Sequence, residues 1–311
     1  MPASQNSSGH NGSGHAAIAG GYGFVSLADD WISRTANANA LSWFRDSIAQ
    51  IRKTPGGDTL AIAIGLAPRR LGKADLPLTP DDMARAAALR PGLDPSGWSV
   101  DQAARVAFAV AGYANDDAAF AAWFDGFCAS AEINELIALC RGLPVYPAAA
   151  LLESRAREAI RSGMKPVFEA VAHRNPYPVE YFDEDAWNQM VVKAFFIGSQ
   201  MWPIQQLDSR ANPHLARMLV DLAQERWAAG RPVSGEVWRC VAPHADAEGI
   251  SSLVHAFESG GDKERLAVAL ALQQAPTSPA HPTFVQRGLS GQLDQLQSRL
   301  AAERIEWQAL A

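Results

Sequence analysis

The chain has 311 residues, of which 48% are hydrophobic and 19% are charged, which is usual for a folded globular protein and excludes a disordered polymer. Lys and Arg total 27 against 33 Asp and Glu, a formal net charge of −6, so the basic excess of a nucleic-acid-binding protein is missing. No run reaches the roughly 20 apolar residues that span a bilayer. We therefore expect a soluble cytoplasmic protein.

The chain begins with a Ser/Gly-rich segment, residues 1–23, that lacks the basic start and apolar core of a secretory signal. Its low-complexity composition predicts a disordered tail. Residues 24–275 are predicted to form a helical domain, because alanine, the strongest helix former, recurs throughout them. No alternating β-branched run in them exceeds a few residues, so strands are not expected.

Within this domain, aromatic-rich apolar helices alternate with short Gly/Pro or polar breaks. Four helix pairs are predicted in this way, at 43–66, 123–141, 167–200 and 253–272. Each pair has the pattern of an αα-hairpin whose apolar stripe must be covered by a neighbour. We therefore predict an all-α fold, an irregular array of antiparallel helical hairpins that forms either a HEAT-like right-handed stack or an irregular helical domain.

Capping signals predict three helix starts, at Thr79-Pro80, at Ser99 with Gln102, and at Asn212-Pro213. After the domain, residues 276–288 are predicted to be a Pro-rich linker and residues 289–311 an amphipathic helix. We expect that helix to pack back on its own array as a cap, and docking onto a partner or a sister subunit is the alternative.

The sequence predicts no metal, cofactor or catalytic group. Cys128, Cys140 and Cys240 are odd in number and lack C-x-x-C spacing, which favours buried reduced thiols in a reducing compartment. His214, Asp221 and Glu225 share one helical face, but Arg217 lies on it too, which is typical of a solvated surface rather than a metal site.

Aromatic and cationic side chains are densest between residues 173 and 244. The segment 174–183 contains two prolines and three aromatic residues, too apolar for a solvated loop. The next helix, predicted to reach Gln200, places Trp187 on a broad apolar face that continues to Met201 and Trp202. Lys193 lies at the border of that face, which favours a snorkelling lysine over a ligand-binding or Schiff-base lysine.

Arg226 is predicted on the apolar side of its helix, where a guanidinium needs a carboxylate or carbonyl partner. Asp208, Asp183 and Glu236 are the candidate carboxylates, and Arg210 or Arg239 could join the same network. The pattern is consistent with an interhelical tie and equally with an anion or ligand site.

Several segments of the chain resemble the EboA family. They are Asn175–Pro178, Tyr181–Val191, Lys193–Gly198, Leu207–Pro213, Leu66–Gly72 and Trp98–Val106. The resemblance covers about residues 38–275. It implies a helical bacterial protein, encoded with a prenyltransferase-like membrane protein and sugar-phosphate-enzyme-like partners in clusters linked to moving secondary metabolites or their precursors out of the cytoplasm. It implies no known reaction and no catalytic residues.

The leading hypothesis is a non-catalytic binding or carrier component whose partners are a small metabolite or Ebo-type proteins. The predicted ligand- or partner-binding residues are Arg174, Asn175, Tyr177, Tyr181, Trp187, Lys193, Asp208, Arg210, Arg226 and Trp227. Peripheral membrane association through a membrane partner and a homodimer through the last helix are left open. One alternative is a helical enzyme acting on a lipid- or quinone-like precursor, with acid–base roles for Lys193, Asp208, Asp221 or His214. The other is a scaffold that dimerises through residues 289–311.

Overall fold

A computed structural model describes residues 23–311 of the chain. The predicted N-terminal tail lies outside the described residues except for Gly23, which begins a helical stretch over 23–33. Within residues 23–311 the regular structure is helical and no strand is present, apart from one isolated antiparallel bridge between Asp75 and Ser99. The predicted all-α fold is confirmed.

The chain divides into two compact units, which we call unit 1, ending at Phe182, and unit 2, Asp183–Ala311. The helices of unit 1 are α1 (23–33), α2 (Ala38–Lys53), α3 (Asp58–Leu71), α4 (Pro80–Leu89), α5 (Val100–Ala111), α6 (Asp117–Ser130), α7 (Ile133–Arg141), α8 (Glu153–Arg161), α9 (Lys165–Ala172) and α10 (Tyr177–Tyr181). Those of unit 2 are α11 (Glu184–Phe196), α12 (Pro213–Ala228), α13 (Trp238–Val241), α14 (Ala247–Ser259), α15 (Asp262–Gln274), α16 (His281–Gln286), α17 (Ser290–Glu303) and α18 (Trp307–Leu310).

The predicted helix starts are confirmed, since α4, α5 and α12 begin directly after Thr79, Ser99 and Asn212. The Asn212 side chain accepts a hydrogen bond from the backbone N of Leu215 at 2.8 Å, which satisfies a donor of the first turn. Two of the predicted hairpins also form, because α2 packs on α3 and α14 packs on α15.

The predicted hairpin at 123–141 is wrong. Helix α7 packs mainly against α5 and α9, whereas α6 packs on a short 3₁₀ turn, Ala149–Leu152. The aromatic stripe of α6 explains the difference, because Phe120 and Phe124 contact the ring of Tyr146 with centroids 5.8 and 5.3 Å away. A segment that follows α7 therefore covers α6, and α3, α5, α7 and α9 form a row of successive contacts.

A buried arginine joins three helices of that row. Arg105 of α5 is 2% exposed, and its Nη1 lies 3.1 Å from Oδ2 of Asp101. Its Nε donates to the carbonyl of Ile64 on α3 at 3.1 Å, and Nη1 donates to the carbonyl of Asn134 on α7 at 3.0 Å. Both charged residues lie in Trp98–Val106, one of the segments that carries the family resemblance.

In unit 2, helix α15 is central and packs against α13, α14, α17 and α18. The segment predicted as a linker contains the short helix α16, and the predicted last helix is interrupted at Arg304, which has φ +53°. Leu293, Leu300 and Trp307 are buried. Within residues 23–311, no helix combines the length and the hydropathy needed to cross a membrane.

Candidate functional site

Four of the ten predicted site residues belong to unit 1, and two of these, Arg174 and Asn175, line a cavity of about 180 Å³. We call it the polar cavity. It lies where the end of α7 and the end of α9 meet the loop before α5, and it is lined by Ser96, Trp98, Arg141, Glu169, Ala170, His173, Arg174 and Asn175.

Asn175 holds the wall of this cavity in place. Its side chain is almost fully buried, and Nδ2 donates to the carbonyls of Cys140 at 3.2 Å and Ala170 at 3.1 Å. Oδ1 accepts from the backbone N of Tyr177 at 3.0 Å. Asn175 therefore ties the segment after α9 to the ends of α7 and α9, and so fixes the backbone that carries Arg174, a left-handed residue with φ +49°.

Arg141, the last residue of α7, is the unusual group of the polar cavity. Its Nη1 donates to the carbonyl of Gly97 at 2.7 Å and to Oε1 of Gln102 at 2.5 Å, and both acceptors are neutral. Among the described residues no carboxylate forms an ion pair with it. Burial lowers the pKa of Arg141, the positive charge of Arg174 lowers it further, and Glu169 opposes this shift. A half-buried guanidinium in this state favours an anion beside it.

The other charged groups limit which anion fits. Nε of Arg174 lies 3.6 Å from Oδ2 of Asp94, and Oε1 of Glu169 lies 3.7 Å from Nζ of Lys165. The cavity is thus lined by two guanidinium groups, the imidazole of His173 and one carboxylate. Its volume is below the roughly 300–1,000 Å³ of pockets that enclose whole ligands. A head group such as a carboxylate or a phosphate matches this size and charge.

The tyrosines of the predicted segment stabilise the fold. Tyr177 is fully buried, stacks on Tyr181 with a 4.5 Å centroid separation, and donates its hydroxyl to the carbonyl of Ala149 at 2.6 Å. Burial raises the pKa of Tyr177 far above its ordinary range. The segment 174–183 was predicted to be too apolar for a solvated loop, and the structure agrees, since the segment contains helix α10. Its apolar character reflects packing within unit 1.

In unit 2, Trp187 is fully buried and Arg210 places its guanidinium 4.4 Å from the centre of the indole ring. Burial lowers the pKa of Arg210. The predicted continuation of the apolar face to Met201 and Trp202 is wrong, because α11 ends at Phe196. Gly198 has φ +66°, which only glycine adopts readily, so the chain leaves the helical path there.

Arg226 is half-buried, and its partner is a carbonyl rather than a carboxylate. Its Nε donates to Pro232 O at 2.8 Å and its guanidinium lies 5.4 Å from the ring centre of Phe195. The three predicted carboxylates have other partners. Asp208 forms a two-point ion pair with Arg239, Glu236 accepts backbone N–H groups, and Asp183 accepts from the backbone N of Ala186. The predicted network around Arg226 therefore does not form.

The last two predicted site residues are Trp227 and Lys193. Trp227 stacks on the buried Trp238 at 5.7 Å and meets His255 edge-on at 4.6 Å, and Lys193 is half-buried on α11. The structure thus joins Trp187 with Arg210 but gives Arg226 and Trp227 partners outside the predicted set. It also brings Arg141 and His173 together, which sequence reasoning missed because 32 positions separate them and neither stands in a motif.

The three cysteines are buried free thiols, as predicted. Burial raises the pKa of Cys140 and of Cys240 to about 12, so both remain protonated at neutral pH. In the part of the chain that the structure describes, no group of His, Cys, Asp and Glu side chains could hold a metal ion, and His214, Asp221 and Glu225 are exposed.

Comparison with known proteins identifies a family. A family model described as metabolite traffic protein EboA matches residues 24–242, more than half of the chain, and this range includes all residues that line the polar cavity. No curated protein and no solved structure matches. The chain therefore belongs to the EboA family.

Proposed function

We propose that this protein is a non-catalytic binding or carrier component in the cytoplasmic trafficking or processing of a bacterial secondary metabolite or its precursor. The polar cavity holds an anionic head group of that metabolite, and Ebo-type partner proteins deliver or receive it. The family description, metabolite traffic, supports the general role. The observation that carries the assignment of the cavity is Arg141, whose acceptors are all neutral.

The physical argument rests on the electrostatics of a partly desolvated charge. Removing a guanidinium from water is costly unless it gains an opposite charge, and neutral acceptors compensate for only part of this cost. A carboxylate or phosphate in the cavity would face Arg141 and Arg174 together and would relieve their mutual repulsion. Glu169 in the wall disfavours additional negative charge, which favours a head group of low charge.

Calorimetric titration of the full chain with phenyl phosphate, benzoate and benzyl alcohol tests this assignment. We expect the two anions to bind and the alcohol not to bind. Arg141→Gln should weaken anion binding about tenfold or more, because a charge-assisted pair is lost. Arg141→Lys should retain part of the affinity, since it keeps the charge but loses the planar fork.

Arg161→Gln is the matched control, because Arg161 is an exposed arginine of unit 1 that makes no ion pair among the described residues. It should bind the anions as the wild type does. Equal binding of anions by wild type and Arg141→Gln, or equal binding of the alcohol, would contradict the assignment.

A further inference from the structure

A second and larger cavity lies within unit 2, beyond the end of α12 and beside the start of α15. Its volume is about 440 Å³, within the roughly 300–1,000 Å³ that is usual for small-molecule pockets. We call it the Trp227 cavity. The lining residues that matter for its chemistry are Trp227, Arg231, Pro232, His255, Gly260 and Glu264.

The aromatic wall of this cavity is held rigidly. Trp227 is half-buried, with the fully buried Trp238 stacked on it at an interplanar angle of 25° and His255 edge-on to it. After α12 the chain reverses at Gly230, which has φ +65°, and the backbone N of Arg231 donates to Arg226 O at 2.8 Å. This turn places residues 231–233 in the cavity wall, and the contacts with Trp238 and His255 position the indole before any ligand enters.

Glu264 lines the same cavity and has one unsatisfied acceptor atom. Its Oε1 is buried and has no hydrogen-bond partner, and the side chain forms no ion pair among the described residues. Glu264 is the third residue of α15, where a glutamate commonly accepts from the N-cap backbone, but no such bond to Gly261 is formed. Burial raises the pKa of Glu264. Buried acceptors without partners are rare, and Glu264 combines such an oxygen with a place in the cavity wall, so its carboxylate is a candidate to bind a donor group of a ligand.

The neighbouring cations do not supply that donor. Arg231 lies exposed at the cavity and makes no ion pair with Glu264. Arg265 is engaged elsewhere, since its Nη2 donates to Oε1 of Gln292 at 2.9 Å and its guanidinium lies 5.4 Å from the ring centre of Phe257. We therefore expect the hydrogen-bond donor for the Glu264 carboxylate to come from a bound molecule rather than from the described residues.

We infer that the Trp227 cavity binds an organic amine with a compact apolar body, whose ammonium group donates to Glu264 while the apolar part covers the face of Trp227. A carboxylate and an indole face are the two groups that proteins combine to recognise alkylammonium ions. The inference is independent of the anion assignment, because the cavity lies in unit 2 and its chemistry has the opposite charge.

The test uses the full chain and three probes that share a phenylethyl body, namely 2-phenylethylamine, 2-phenylethanol and 3-phenylpropionate, titrated by calorimetry to about 10 mM. The amine should bind about tenfold more tightly than the alcohol, since its hydrogen bond to Glu264 is charge-assisted, and the acid should not bind. Glu264→Gln, which keeps the shape of the side chain, should reduce amine binding to the level of the alcohol. Trp227→Phe should weaken it about threefold, because the smaller phenyl ring offers less area to the apolar part of the amine.

Glu248→Gln, an exposed glutamate of α14 outside the cavity, is the matched control and should not change binding. Arg141→Gln should leave amine binding unchanged, which separates this test from that of the polar cavity. The inference is overturned if the amine and the alcohol bind equally, if no amine binding is detected, or if Glu264→Gln binds the amine as tightly as the wild type. Thermal melting of each variant verifies folding, and the isosteric Glu264→Gln change keeps the test decisive if Trp227→Phe unfolds.

Discussion

Two regions of unit 1 each contain an arginine withdrawn from water, and they differ in what surrounds the charge. Between α3, α5 and α7, Arg105 has a carboxylate, Asp101, and two carbonyl acceptors, so its charge is balanced inside the protein. In the polar cavity, the acceptors of Arg141 among residues 23–311 are a carbonyl and an amide oxygen. The difference teaches which buried charges hold the fold together and which remain available to a ligand.

The largest effect is expected at Arg105. Arg105→Met should lower the free energy of unfolding by about 3–5 kcal/mol, because Asp101 would remain buried without its counter-charge. Urea denaturation followed by circular dichroism measures this loss. Arg161→Met, an exposed arginine of the same unit, should change stability by less than about 0.5 kcal/mol. A loss below about 1 kcal/mol for Arg105→Met would show that the buried pair is not needed for the fold.

A smaller effect is expected at Asp82, a second balanced charge. Its side chain is fully buried and accepts from Trp31 Nε1 at 3.2 Å, from Arg34 Nη2 at 2.8 Å and from the Thr79 hydroxyl at 2.7 Å. Asp82→Asn should cost about 2 kcal/mol at neutral pH, because a charged acceptor of several hydrogen bonds is lost.

The contribution of Asp82 to stability should depend on pH in a known direction. The hydrogen bond from the Arg34 guanidinium holds the pKa of Asp82 well below its ordinary value of 3.8, even though burial acts in the opposite direction. Its stabilisation is therefore present above pH 4 or so and is lost as the pH falls toward the folded-state pKa. Melting temperatures between about pH 2.5 and 7 should fall less steeply at the acid end for Asp82→Asn than for the wild type. Parallel curves for the two proteins would contradict this account.

The smallest effect is expected at Glu264, which forms no ion pair among the described residues. Burial raises its pKa above the ordinary value of 4.5. A carboxyl with a raised pKa contributes stability at low pH that is lost as the pH rises through the folded-state pKa. Glu264→Gln should therefore melt about 2 °C higher than the wild type near pH 8, with a difference that shrinks toward pH 4. A lower melting temperature for the variant at pH 8 would assign Glu264 to the fold instead of a site.

Local features of the fold could be predicted from sequence, because they depend on residues close together in the chain. Thr79-Pro80 and Asn212-Pro213 signal helix starts through caps that act within one turn, and the Gly-rich breaks before Asp58 and Asp262 separate real hairpins. The aromatic face of α6 is covered instead by Tyr146, which lies in a segment that follows α7. The hydrophobic periodicity of α6 shows that one face is buried but does not indicate which segment packs on it.

The candidate site was predictable in part for the same reason. Arg174 and Asn175 stand in a segment with an unusual composition, so they could be found, whereas Arg141 becomes notable only when its acceptors are known. Arg105 did carry a signal that was missed. It is the one arginine within the buried run of α5, and an aspartate precedes it by four positions.

The size of the polar cavity affects how a bound molecule could be transferred to another protein. A space of about 180 Å³ encloses a head group and no more, so the greater part of any larger molecule would lie outside the cavity. Under the proposed function, a receiving protein could bind the part outside the cavity while the two arginines still bind the charged end. The molecule would then pass directly from one protein to the next without diffusing freely through water.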